Sequence, residues 1–220
     1  MPKTDVQSGR AVRNPAKTAA ERGREVRQRL LSAAVELIPE LGWNAVSTRI
    51  LAQRAGLAPG LVHYHFEYLQ ALLRQASIAS MREALQAIDL IFDQADTLES
   101  GLDMLLGALE AYTSDDPASL MFVESYLASL RDSRLAADLA GLLVDFRRRF
   151  AEWLRADGQA QPEATAAVLA AALDGILLHR ALGPDLSPSA VRQVLGRVLV
   201  RTEPPPTTRS RNQQKGTDTQ

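Results

Sequence analysis

The feature that most constrains the fold is the spacing of the apolar residues, which keeps a helical period along almost the whole chain. In residues 24–41, apolar side chains recur at Leu30, Ala34, Leu37, Ile38 and Leu41 before Gly42 stops the run. No alternating strand pattern of useful length is present. Further amphipathic helices are predicted near residues 68–94, 98–114, 117–131, 133–156, 162–182 and 188–201. The pattern therefore predicts an all-α fold.

Composition divides this helical chain into segments. Residues 1–22 are polar and show no period, and residues 203–220 are Pro-rich and then polar, so both are predicted to be disordered. Residues 1–66 carry ten Arg and Lys against five Asp and Glu, whereas residues 67–202 carry twelve against nineteen. A basic front followed by an acidic body indicates a polyanionic partner for the front, although an arm can also be basic by chance.

Several classes of function are disfavoured by what the sequence lacks. With no Cys and three His among 220 residues, disulfides, thiolate sites and Cys nucleophiles are excluded, and a His-based metal cage is not expected. We therefore predict no catalytic residues, no metal and no cofactor. The N-terminus has no apolar h-region, and no apolar run reaches about 18 residues without a charge. These patterns predict a cytoplasmic protein without a membrane partner.

The stretch AQRAGLAPGLVHYHF, residues 52–66, has the signals of a helix-turn-helix unit. Ser47 is a plausible N-cap for a short helix that ends at Gly56, a residue able to adopt the left-handed conformation. Pro59 suits the first turn of the next helix. Eight residues, 59–66, would form two turns about 12 Å long, close to the width of about 12 Å of a B-DNA major groove.

The two faces of this second helix differ in character. Val62, His65 and Phe66 share a face that can pack on the preceding helix. The opposite face, which is free to meet DNA, holds Pro59, Gly60, His63 and Tyr64. All of these could instead be ordinary core and cap residues. That alternative is preferred for Phe66 and for His65, whereas the ring positions at 63 and 64 favour contact with DNA.

The segment GWNAVSTRILAQRAGLAPGLVHYHF, residues 42–66, resembles the DNA-binding domain of TetR-type transcriptional regulators. The family pattern runs Gly-aromatic-x-x-Thr-Ser, then Ile-Ala-x-x-Ala-Gly-Val-Ser-x-Gly, and ends in Tyr-x-His-Phe. The preceding RQRLLSAAVELIPELG resembles the first helix of the family. The specific part of the resemblance covers residues 27–73, and the rest of the chain is similar in layout only.

The resemblance implies a three-helix DNA-binding domain at residues 23–66, followed by a larger helical ligand-binding and dimerisation domain at residues 67–202. It implies that Ser47, Thr48 and Arg49 begin the helix that crosses the phosphate backbone. The residues implied to face bases are Pro59, Gly60 and His63, and those implied to face the DNA backbone are Tyr64 and His65. Arg22, Arg24 and Arg27 could add phosphate contacts or remain solvated.

The same resemblance implies a homodimer on double-stranded DNA with a pseudopalindromic operator, and a repressor released by a small, mostly apolar effector. The candidate dimer residues are Leu173, Leu177, Leu195, Val198 and Leu199, which could instead bury within their own domain. The candidate pocket residues are Met104, Met121, Phe122, Tyr126, Trp153 and His179, each of which could be simple core. A ligand-independent DNA-binding regulator and a helical interaction module without a DNA role remain alternatives.

Three positions depart from the family pattern, of which Pro39, late in the first helix, has no functional account. Ala58 stands where Ser or Thr is usual, so the second helix should lack a side-chain cap. Leu69 stands where the family has a Lys that helps to hold a phosphate, which puts one ionic contact per half-site in doubt.

Overall fold

A computed structural model describes residues 18–110, 116–180 and 187–199, and within these ranges the regular structure is helical, without strands. The α-helices are α1 (Ala19–Leu41), α2 (Thr48–Ala55), α3 (Gly60–His65), α4 (Leu69–Gln94), α5 (Leu98–Glu110), α6 (Pro117–Ser129), α7 (Ser133–Ala156), α8 (Pro162–Arg180) and α9 (Pro188–Gly196). Short 3-10 helices follow α1 and α9. The all-α prediction is confirmed.

The first helix begins earlier than the sequence predicted. Residues 19–22, assigned to a disordered arm, form the first turn of α1. The reason is a capping box, in which the Thr18 side chain accepts from the Glu21 amide and the Glu21 carboxylate accepts from the Thr18 amide at 2.6 Å. The rest of the predicted arm, the predicted tail and the predicted helix ends at 111–114, 181–182 and 200–201 lie outside the described residues.

The second helix of the helix-turn-helix unit is shorter than predicted. α3 holds six residues, about 9 Å, rather than the eight of the predicted two-turn helix. Pro59 takes helical angles as the N-cap but offers no side-chain hydrogen bond, as the absence of a capping side chain at Ala58 predicted. Phe66 is extended, and its amide closes the helix on the Val62 carbonyl at 2.9 Å.

The chain divides into two compact units after Ser77, eleven residues later than the boundary predicted at 66. The correction has a packing cause, because the first turns of α4 bury Leu72, Leu73 and Ala76 within the first unit. The Trp43 indole also donates to the Gln70 side-chain oxygen at 2.8 Å. The sequence boundary followed the end of the motif, whereas the structural boundary follows the apolar residues that α4 contributes.

The second unit has one hydrophobic core, built mainly from α5, α7, α8 and α9. At its centre a run of aromatic rings joins α4 to α7. Phe92 stacks on Phe150 at 5.0 Å and on Trp153 at 5.1 Å between ring centroids, and Phe146 packs on Phe150 at 5.7 Å. Beside these rings, Arg149 forms an ion pair with Asp89.

The helix α8 is apolar along most of its length, and its half-buried acid is Asp174. Burial raises the pKa of the Asp174 carboxyl, and the nearby Arg147 opposes that shift by favouring the charged form. By length and composition, residues 162–179 could cross a membrane, yet only 33% of that stretch is buried within this chain. Among the described residues, Ala164, Val168 and Ala171 of this helix are exposed.

Most of the predicted dimer residues turn inward, and their role in pairing stays a prediction. Leu173, Leu195 and Leu199 belong to the core of their own unit, and Val198 packs against it. Leu177 is half-buried. The last helix, α9, docks on α5, where Arg192 forms an ion pair with Asp103 at 2.9 Å. The apolar period of the last helices predicts a buried face, but it does not predict whether the same unit or a second copy of the chain covers it.

Candidate nucleic-acid interface

The turn between α2 and α3 is held by local caps and by one long-range contact. The Ser47 side chain accepts from the Ile50 amide at 3.3 Å, and Gly56 ends α2 in the left-handed conformation with φ 64°. From α1, Arg29 donates to the carbonyls of Ala55 and of Gly56, the latter at 3.1 Å. These bonds satisfy carbonyls that the end of α2 leaves without helical partners. Sequence reasoning did not identify the role of Arg29, since no local pattern marks it.

The inner face of α3 anchors the helix as the sequence predicted. Val62 and Phe66 are buried, together with Leu51 and Ala55 of α2. A six-residue helix is too short to be stable by itself, so this packing determines its direction. The side chains on the other face are consequently presented on a fixed support.

The outer face of α3 is exposed and contains no acidic residue. Pro59, Gly60 and His63 are exposed, and Tyr64 is 81% exposed, an unusual state for a large ring. No Asp or Glu occurs anywhere in residues 41–66. This surface can therefore approach a polyanion without a local like charge, and it offers ring and backbone groups suited to base edges and phosphates.

The two arginines of α2 have different surroundings. Arg54 forms ion pairs with Glu40 at 2.6 Å and with Glu36 at 3.2 Å, and its hydrogen bonds to these acids, Glu40 first, raise its pKa. Arg49, in the first turn of α2, is exposed and takes part in no ion pair among the described residues. Of the two cations, Arg49 is thus the one whose charge is not already neutralised by α1. Ser47 is exposed beside it and Thr48 is half-buried.

His65 is placed differently from the other predicted contacts. It is half-buried, with its ring edge-on to Tyr64 at 4.9 Å between centroids. A Cβ added at Gly23 of α1 would lie 3.8 Å from the His65 ring. This packing fits the structural role that the sequence favoured, and a contact of His65 with DNA stays a prediction.

The six predicted pocket residues differ in their burial. Met121 is buried, Met104 and Phe122 are half-buried, and Trp153 belongs to the aromatic core. Tyr126 is 54% exposed and His179 is also exposed, so neither is enclosed in the described part of the chain. The role of all six residues in a pocket stays a prediction.

Two family models match this chain. Residues 30–76 match the model described as bacterial regulatory proteins, tetR family, and residues 96–201 match the tetracyclin repressor-like C-terminal domain. The first match spans the helix-turn-helix unit and the start of α4, and the second spans most of the second unit. The matches together confirm the resemblance that the motif indicated.

Individual proteins show the same similarity. Uncharacterized HTH-type transcriptional regulators of Mycobacterium bovis and Mycobacterium tuberculosis are 24% identical over 176 residues, which is 77% of this chain and 90% of theirs. A solved structure from Streptomyces coelicolor A3(2), assigned as a transcriptional regulator, is 25% identical with a TM-score of 0.64, over 80% of this chain and 98% of that one. The multidrug binding protein EbrR, solved with imidazole, is 26% identical with a TM-score of 0.65, over 80% and 96%.

Proposed function

Since this chain belongs to the TetR family of DNA-binding transcriptional regulators, we propose that it is a repressor that a small, mostly apolar effector releases from a pseudopalindromic operator. The observation that carries the proposal is the outer face of α3, which is exposed, free of acidic residues and fixed by a buried inner face. A face with these three properties is suited to direct readout in a major groove.

In this proposal α2 contacts the DNA backbone and α3 reads the bases. Ser47, Thr48 and Arg49 meet phosphates at the start of α2, where helix amides and a free guanidinium favour anions. Pro59, Gly60 and His63 face base edges, and Tyr64 and His65 lie toward the DNA backbone. The contact that the family makes through Lys is missing at Leu69, which is half-buried at the first position of α4.

The test of the proposed function is selection of genomic DNA fragments by the purified protein. We expect recovery of fragments sharing two inverted half-sites whose centres are about 34 Å apart, one helical turn of B-DNA. Recovery of DNA without a common sequence would instead indicate an architectural protein, and no recovery at low salt would support an interaction module.

We further propose that two copies pair through the uncovered face of α8. Its exposed positions recur at helical spacing and are small or apolar: Ala164, Val168 and Ala171, with the half-buried Gly175 one turn further on. Val168 is 56% exposed, and a Cβ at Gly175 would meet no atom within 4 Å. Small residues let two helices approach closely, so a second α8 of the same shape is the partner that this face fits best.

Substituting Val168 with Arg is expected to convert a dimer into a monomer, because each copy would bring a charge into the centre of the paired helices. Light scattering coupled to size exclusion measures the mass, and the selected duplex measures the accompanying loss of affinity. Leu130→Arg is the control, since Leu130 is a similarly exposed apolar residue at the C-cap of α6. A Val168→Arg variant that kept the mass of a dimer would show that another surface mediates pairing.

The proposed effector is supported by the composition of the second unit and by its relatives. The core between α4 and α7 is rich in aromatic rings, and the similar protein EbrR has been solved with proflavin and with malachite green. An effector can release DNA only if it binds the released conformation more tightly. Apolar aromatic compounds that lower retention of the selected duplex would support release, whereas unchanged retention across such a panel would favour the ligand-independent regulator.

A further inference from the structure

We propose that Arg27 is a positioning residue that couples the end of α3 to α4, and that it does not bind phosphate. The inference rests on the proposed DNA-binding function and adds a route by which the position of α4 affects the reading helix. Its basis is one side chain that contacts two different elements, both within the first unit.

The geometry places the Arg27 guanidinium between an aromatic ring and an amide. Its central carbon lies 4.6 Å from the centroid of the Phe66 ring, and its Nη2 donates to the Gln75 side-chain oxygen at 2.6 Å. Phe66 is the residue at which α3 ends, and Gln75 is in the second turn of α4. Arg27 of α1 is therefore a bridge between the two helices.

This arrangement also stabilises the positive charge of the Arg27 side chain without a phosphate. A guanidinium stacked on a ring and bonded edge-on to an amide keeps a favourable environment without any anion. Gly23, one turn earlier on α1, lies beside His65, the last residue of α3. One face of α1 thus supports the final two positions of the reading segment, with Arg27 as its polar contact.

The consequence concerns α4, whose first nine residues lie in the first unit and whose remainder lies in the second. A shift of its first turns would move Gln75, and the hydrogen bond would move the guanidinium that supports Phe66. Because α3 has only six residues and depends on packing for its stability, we expect displacement of its C-cap residue, Phe66, to change the direction of the helix. Arg27 is in this way a site where movement of α4 becomes a change in DNA fit.

The experiment compares Arg27→Met, Arg27→Lys and Gln75→Met on the duplex selected by the wild-type protein and on a scrambled duplex of the same composition. Arg27→Met keeps the stem but loses the charge and the fork, and Gln75→Met leaves the charge of Arg27 in place. We expect Arg27→Met to reduce affinity for the selected duplex by about tenfold, the combined scale of a cation–π contact and a charge-assisted hydrogen bond. Gln75→Met should reduce it by less, because only the hydrogen bond is lost. Affinity for the scrambled duplex should stay unchanged.

The salt dependence separates positioning from phosphate contact. For a positioning residue, the slope of log K against log salt is the same in Arg27→Met as in the wild type. A direct contact would instead lower the slope by about 0.9 for each bound copy, weaken both duplexes and be rescued by Arg27→Lys. That pattern would overturn the inference, and so would a Gln75→Met variant with unchanged discrimination.

Thermal unfolding of each variant shows whether a loss of affinity comes only from a loss of folded protein. The affinities are compared at a temperature where each variant is folded, so a loss of stability alone would not alter the ratio between the two duplexes. If the wild-type protein itself failed to discriminate between them, the proposed function would fail, an outcome visible before any variant is made.

Discussion

Glutamate in place of Gly60 is expected to abolish specific DNA binding without unfolding the protein. Gly60 is the first residue of α3, and a Cβ added there meets no atom within 4 Å. An acidic side chain at a helix N-terminus is favourable for the helix itself. On DNA the same carboxylate would face phosphates and base acceptors, and such like-charge juxtaposition costs several kcal/mol, at least about a hundredfold in affinity.

The measurement is fluorescence anisotropy on the selected duplex, with thermal unfolding recorded in parallel. Gly60→Ala is the matched control, because it tests the added carbon without the charge and should retain most of the affinity unless the DNA approaches the backbone very closely. If Gly60→Glu bound as tightly as the wild type, the outer face of α3 would not be the surface that meets DNA.

The substitution expected to damage the fold most is Gly101→Ala, in α5. A Cβ at this position would lie 2.6 Å from Cη2 of Trp153, closer still to Cζ2, and 3.1 Å from the Ala95 Cβ. The indole cannot simply turn aside, because it is stacked on Phe92 within the aromatic core. Overpacking of this kind typically costs 1–3 kcal/mol, and the rigid surroundings place our expectation at about 3 kcal/mol.

Chemical denaturation followed by circular dichroism measures this loss. The control is Gly107→Ala on the same helix, where the added carbon meets no atom within 4 Å and the residue is exposed. Alanine there should stabilise α5 by roughly 0.5–1 kcal/mol through its higher helix propensity. Equal stabilities for the two variants would mean that Trp153 does not occupy the space above Gly101.

The helices and their caps could be predicted because the signals that produce them are local. Ser47 and Gly56 bound α2 through contacts with residues no more than four positions away. The polar composition around Thr18 predicts disorder, yet the local capping pair of Thr18 and Glu21 starts α1 there. The length of α3 was overestimated because both flanking residues, Pro59 and Phe66, fit a helical pattern that the backbone leaves at Phe66.

Long-range contacts account for what the sequence could not predict. The exposure of His63 and Tyr64 followed from the helical period, but the roles of Arg27 and Arg29 depend on partners 26 to 48 positions away. The period of α8 and α9 likewise marked buried faces, yet Leu195 and other predicted dimer residues are covered by their own unit. An apolar stripe predicts that a helix face is buried, but it does not predict whether the same chain or a second copy covers that face.

The cap at Thr18 determines how far the N-terminus can be shortened without disturbing the support of α3. Trimming up to residue 17 leaves the Thr18–Glu21 pair intact, so the first turn of α1 keeps its hydrogen bonds. Removal of three more residues leaves Gly23 and Arg27 on a fraying end, although neither has been altered. A protease acting just beyond Thr18 would therefore impair the regulator from a distance, with every side chain of α3 still in place.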